Sequence, residues 1–337
     1  MVKKKEAMPT EPDTGTQAGQ RPTAGTTTGR GTTVETISKL TLGTVQLGMP
    51  YGIHNRDGMP SEESSFELLN RAWEGGVVSY DTAAAYGQSE TILGRFFHGK
   101  HPLITTKIHL FPQPGDSGAQ IGRDMRERVS GSLKRLGLDS VPILMLHNTD
   151  VMEHFGGAIT EAFAELKQEG LIGRAGISVS QNSAEEYRFL WPYLQNDLYE
   201  AVQIPMNVLD HRPIRNGCLG MLGQAGKTVF VRSVFLQGLL YMKDEELPVK
   251  LAAAKAPLAA LRELSERYGI GIAQLAVSFI RDMEGVDSLV IGAETREQVS
   301  DNLALLDGPP LPETLREQLA SAFHDVPEQV ITPHMWK

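Results

Sequence analysis

The chain has 337 residues, 41% of them apolar and 22% charged, enough for a large core built as two domains or as one α/β barrel. A formal net charge of −9 argues against nucleic acid or an anionic membrane as partner, although a local pocket can still hold an anionic small ligand. A single cysteine, Cys218, excludes an intrachain disulfide; no apolar stretch follows Lys3, Lys4 and Lys5 as a signal peptide requires, and no window approaches the roughly 18 apolar residues of a membrane span, so a cytoplasmic protein is expected.

Residues 1–33 are rich in Thr, Gly and Pro, contain no aromatic residue and show no hydrophobic period. Such a segment buries too little apolar surface to offset its ordering entropy, so it reads as a disordered tail ahead of one folded unit over 34–337. From about residue 38, two kinds of segment alternate. KLTLGTVQLG (39–48) is the first β-rich run, and SEESSFELLNRAWEGG (61–76) follows with helical spacing, a Ser61 cap and a closing Gly pair. GVVSYD (76–81), PLITTKI (102–108) and VPILMLH (141–147) are the next strands, with a helix over 121–137 before the last of them. A helix over 158–170 leads to LIGRAGISV (171–179), and one over 183–194 leads to EAVQIP (200–205) and then TVFVRSV (228–234). A helix pair split by glycine, 257–269 and 271–282, precedes DSLVIG (287–292); helices over 295–306 and 312–323 finish the chain.

Eight strands alternating with helices fit either a closed (β/α)8 TIM barrel or a doubly wound sheet. Several strands are continuous apolar runs, as strands buried on both faces should be. The first strand ends in LGTVQLG rather than in an early G-x-G-x-x-G turn, so the barrel is predicted.

In such a barrel the chemistry sits at the C-terminal ends of the strands. Asp81, Lys107 and His147 end the second, third and fourth runs, Gln203 lies near the end of the sixth, and Arg232 and Ser233 near the end of the seventh. Any one of these alone is more often a rim residue or a satisfied core histidine. Together, with Tyr86 one loop above Asp81, they form a constellation that a core tolerates only when paired.

This pattern resembles the aldo-keto reductases from Leu40 to about Asn302, through LGTVQLG, YDTAAAYGQSETILG, TTKI, LMLHN, GISVS, VQIPMN and IGAETREQVSDNL. YGIHNRDGMPS and RSVFLQGLL are similar to a bacterial branch, some of whose members serve sugar or polysaccharide biosynthesis. The resemblance implies a catalytic tetrad of Asp81, Tyr86, Lys107 and His147. Reducing a carbonyl with hydride needs a proton donor at the oxygen, and Tyr86 takes that part. Lys107 is expected to lower the phenol pKa from its usual value of about 10. Asp81 holds the ammonium, and His147 donates to and polarises the carbonyl.

The hydride implies a nicotinamide. By resemblance, Ser178 and Gln203 hold its carboxamide, with Val179 standing where the family usually has asparagine. Arg232, followed by Ser233, stands where a tyrosine usually stacks under the ring. Gly43, Thr44 and Val45 after the first strand, and Gly238 after the seventh, are further implied contacts. So are Ile291, Gly292, Ala293, Thr295, Gln298 and Asn302, around the turn that opens the last helix of the barrel. Taken alone, that turn reads as an ordinary capped helix. Arg296 is its only base able to meet a 2′-phosphate; NADPH is expected on family habit, with NADH allowed.

No metal is expected: no H-x-H pair marks the first strand, and His98, His101 and His109 are read as lying away from strand ends. GISVS lacks the second glycine of a nucleophile elbow. The implied function is reduction of an aldehyde or ketone, including sugar-like or hydroxylated carbonyls. Two alternatives stay open: an NAD-dependent sugar or alcohol dehydrogenase working oxidatively, and a non-catalytic cofactor-binding subunit. Tyr51, His54 and Asn55, the 109–120 loop and the 235–250 segment are expected to line or cover the pocket. Asn148 is a further polar candidate. Nothing in the sequence sets an oligomeric state.

Overall fold

Strands β1 (Leu40–Gly43), β2 (Ser79–Asp81), β3 (Leu103–Ile108), β4 (Val141–Leu146), β5 (Ile172–Ser178), β6 (Tyr199–Pro205), β7 (Thr228–Arg232) and β8 (Ser288–Gly292) pair in chain order. Every pairing is parallel, and β8 returns to β1, so the sheet closes as the (β/α)8 barrel the alternation predicts. The computed structural model describes residues 37–53, 55 and 58–336; the tail predicted over 1–33, and His54, lie outside the described residues.

Alternation within the strands builds two layers. Leu103, Ile143, Met145, Ala201 and Phe230 fill the barrel interior, while Ile104, Leu144, Leu146 and Val202 face the helices in a second, larger cluster. Polar contacts mark the seam where the ends of the sheet meet: Thr41 Oγ1 lies 2.8 Å from Ser79 Oγ and 2.7 Å from Ser288 Oγ.

The helices are α1 (Val45–Gly48), α2 (Glu62–Glu74), α3 (Ser89–Phe96), α4 (Gly118–Leu136), α5 (Met152–Gln168), α6 (Ala184–Leu194), α7 (Arg212–Arg215), α8 (Cys218–Gln224), α9 (Lys255–Tyr268), α10 (Ile272–Arg281), α11 (Arg296–Leu306), α12 (Glu313–Ala322) and α13 (Glu328–Ile331). No helix among the described residues is long and apolar enough to cross a membrane.

Several elements depart from the sequence expectation. The run 39–48 is a strand only to Gly43, because Thr44 turns away, its N–H and hydroxyl both donating to the Asp81 carbonyl at 2.9 Å. α5 begins six residues earlier than expected, since Gly156 and Gly157 break the apolar pattern. Gly156 is required by packing: a Cβ there would lie 1.9 Å from the Tyr193 hydroxyl. α3 and α8 were not expected, each carrying glycine inside a short helix.

Candidate active site

Asp81 closes β2, Lys107 is the penultimate residue of β3, and His147 directly follows β4, so three adjacent parallel strands deliver them to one mouth of the barrel. Lys107 is 1% exposed and Asp81 4%, a depth at which either charge needs the other. Lys107 Nζ donates to Asp81 Oδ2 at 2.8 Å and to the Thr82 carbonyl at 2.9 Å. Asp81 Oδ1 accepts from Gln203 Nε2 at 2.7 Å, so β6, on the far side of the barrel, joins the same carboxylate.

The small residues after Asp81 let the chain fold back as a tight turn. Thr82 N donates to Thr105 O at 2.8 Å, Ala84 N to Lys107 O at 3.0 Å, and Tyr86 N to Ala83 O at 3.0 Å. Two glycines fix the turn from above. A Cβ on Gly48, at the end of α1, would lie 1.8 Å from the Tyr86 carbonyl oxygen, and one on Gly87, at φ +51°, 2.2 Å from the Gly48 oxygen. The half-buried Tyr86 ring is thereby set with its centroid 5.2 Å from Lys107 Nζ and 5.7 Å from the His147 ring, edge to face.

Burial dominates the proton affinities here. His147 is pushed down to about 3, first by burial and then by the cations Lys107 and Arg232, so its ring is neutral at working pH. Its Nδ1 is buried with no hydrogen-bond partner among the described residues. The Tyr86 phenol is raised, not lowered as expected: burial and the Asp81 carboxylate both push it up. The cation that draws it down is Arg232.

These groups open onto a cavity of about 1160 Å³, above the roughly 300–1,000 Å³ of ordinary ligand pockets. Of the predicted residues, Asp81, Tyr86, His147, Gly43, Thr44, Val45, Arg232, Ser233, Gly238, Ile291, Gly292, Gln298 and Asn302 line it. Lys107, Ser178 and Gln203 lie buried and do not line it. Nor do Ala293, which is buried, and Thr295, whose side chain caps α11 by accepting from Gln298 N.

One observation bears on a nicotinamide: Gln203, buried against Asp81 of the lining, spends its N–H2 on that carboxylate and leaves Oε1 without a donor, an acceptor of the kind a carboxamide N–H2 would satisfy. At the mouth between β1 and β8 the Gln46 amide packs against Gly292, 2.5 Å from where a Cβ would stand.

The two departures at Val179 and Arg232 prove to be one arrangement. Arg232 Nη2 donates to the carbonyls of Val179 at 3.0 Å and Ser180 at 3.3 Å, and Nη1 to Ser233 Oγ at 3.2 Å. The guanidinium thus binds the backbone at Val179 itself.

Several loop expectations change. Tyr51 and Asn55 line the cavity, as do Phe235, Gln237, Gly238 and Tyr241, but the rest of 235–250 and all of 109–120 do not. Asn148 is a loop clamp, its amide bonded to both N and O of Leu110. His109 follows β3 directly and stands 6.0 Å from the His147 ring, so it is at a strand end after all. The segment 331–336 was missed; Ile331, Thr332, Pro333, His334 and Trp336 all line the cavity. Its signal was an apolar, aromatic ITPHMW with no strand left to join.

Residues 39–322 match the Aldo/keto reductase family. The NADH-specific methylglyoxal reductase of Escherichia coli (strain K12) is 30% identical over 312 residues, covering 82% of this chain and 92% of that protein. The holo form of an aldo-keto reductase from Bacillus halodurans aligns at a TM-score of 0.67 and 25% identity, over 87% of this chain and 95% of that one. A glycerol dehydrogenase from Gluconobacter oxydans has the same fold, at a TM-score of 0.64 and 20% identity over 86% and 92% of the two chains. Since the family match runs through all eight strands and the loops that carry the site, the chain belongs to the aldo/keto reductases and is an NAD(P)H-dependent oxidoreductase acting on carbonyl groups.

Proposed function

We propose that this enzyme reduces a small aldehyde or ketone with NADH, using Tyr86 as the proton donor, in the cytoplasm. The convergence of Tyr86 and His147 at the cavity, over a buried Asp81–Lys107 pair, carries the reading. When bound, the nicotinamide supplies the hydride. Tyr86, kept protonated by its burial, gives its proton to the developing alkoxide, and Lys107 lies close enough to stabilise the phenolate left behind. His147 Nε2–H donates to the carbonyl oxygen and polarises it. Gln203 Oε1 and Ser178 hold the carboxamide, Gly43, Thr44 and Val45 border the ring, and the turn into α11 takes the pyrophosphate.

NADH is preferred to NADPH, contrary to family habit. The cavity end at this turn is lined by Glu294, Gln298, Asp301 and Asn302, and no lysine or arginine of the turn joins them among the described residues. Arg296 is exposed and does not line the cavity. A 2′-phosphate would meet carboxylates there. The NADH-specific methylglyoxal reductase of Escherichia coli supports the same choice and offers methylglyoxal as a first substrate.

The test is oxidation of NADH and NADPH with a panel of 2-oxoaldehydes, aldehydes and sugars. Wild type should turn over with NADH. Tyr86→Phe should lose roughly 10²–10⁴-fold in kcat while still binding the cofactor. Equal rates for the two proteins sink the assignment of Tyr86, and turnover restricted to alcohols with NAD+ favours the oxidative alternative.

A further inference from the structure

Arg232 is the most unusual charge in the cavity. It lines the space at the end of β7, half-buried, and its partners are the carbonyls of Val179 and Ser180 and the Ser233 hydroxyl, all uncharged. No carboxylate among the described residues forms an ion pair with it. The nearest candidate by function, Asp81, has Oδ2 on Lys107 and Oδ1 on Gln203. Arg212, which also lines the cavity, is by contrast neutralised by Asp210 and Glu328. The Arg232 charge reaches the reaction centre, since it lowers the proton affinity of Tyr86, Lys107 and His147 alike.

The chemistry moves one hydride to the carbonyl carbon and one proton from the Tyr86 phenol to the oxygen. One positive charge is left on the nicotinamide ring. Reacting atoms must approach within about 3–3.5 Å, so the ring lies beside the carbonyl that Tyr86 and His147 hold, inside the field of Arg232. A fixed, uncompensated cation there repels the oxidised ring and is indifferent to the reduced one. We infer that Arg232 makes this enzyme select the reduced over the oxidised nicotinamide, commit it to carbonyl reduction and speed release of the oxidised cofactor. The inference rests on the oxidoreductase reading above.

At separations of several ångströms and an effective dielectric near that of a protein surface, one unit charge shifts such a balance by roughly 10-fold or more. The experiment measures dissociation constants of NADH and NAD+ for wild type, Arg232→Gln and Arg232→Lys. Trp336, which lines the cavity, reports binding of both forms through its emission. Wild type should bind NADH more tightly than NAD+. Arg232→Gln should cut that ratio roughly tenfold, chiefly by tightening NAD+, and Arg232→Lys, which keeps the charge, should preserve it. A ratio unmoved by Arg232→Gln, or reduced equally by Arg232→Lys, overturns the role of Arg232. If the Gln variant loses its fold, the wild-type ratio decides, and equal affinities overturn the proposal. A wild type that binds neither form overturns the NADH reading on which the inference stands.

Discussion

Asp81 answers to two partners on opposite sides of the barrel, and each depends on it differently. Lys107 needs the charge; Gln203 needs only an acceptor. Asp81→Asn therefore leaves a buried ammonium without a counter-ion. It should cost about 3–5 kcal/mol in denaturant unfolding, besides lowering activity. His147 supplies a pH signature. Its folded pKa of about 3 lies below the ordinary value of 6.5, so its contribution to stability is complete above pH 6.5 and fades as pH falls from there toward 3. The rate profile for reduction should show no inflection near pH 6.5 from this residue, and an NMR titration of the His147 ring should find it neutral through that range. Because Tyr86 is raised rather than lowered, the reduction should hold its rate into mildly alkaline solution while the reverse oxidation climbs with pH.

At the scale of elements, α1 and the turn after β2 act as a unit through backbone contact between Gly48 and the Tyr86–Gly87 peptide. The clash at Gly48 is with a carbonyl oxygen, which cannot rotate away, so Gly48→Ala must move the turn. A displacement near 1 Å at Tyr86, the proposed proton donor, costs on the order of 10²-fold. Gly48→Ala should thus lose kcat by about that factor with cofactor affinity far less changed, as steady-state kinetics and fluorescence titration would show. The strands were legible in the sequence as short β-rich apolar runs, and Asp81, Lys107 and His147 as polar residues at or beside the ends of three of them. What stayed hidden depends on partners distant in the chain. α5 runs through Gly156 because Tyr193 occupies the space beside it, β1 stops where Asp81 takes over Thr44, and the cavity face of 331–336 exists only once the barrel is built. Arg232 was visible as a departure; that it grips Val179 and Ser180 was not.

Across the whole molecule, the register that closes the barrel joins Leu40 to Leu289 and Gly43 to Gly292, while the hydroxyl contact of Thr41 with Ser288 spans 247 positions. Until β8 exists, β1 can pair only with β2, and its other edge has no neighbour in the sheet. At ordinary rates of translation, of about 5–20 residues per second, that edge waits roughly 10–50 s on the ribosome. The turn into α11, proposed above to take the cofactor's pyrophosphate, lies just beyond the strand that ends this wait. On that proposal, completion of the barrel and assembly of the nicotinamide site are a single late event in the life of the nascent chain, and a chain cut short before Ser288 has both an open sheet and an unfinished cofactor site.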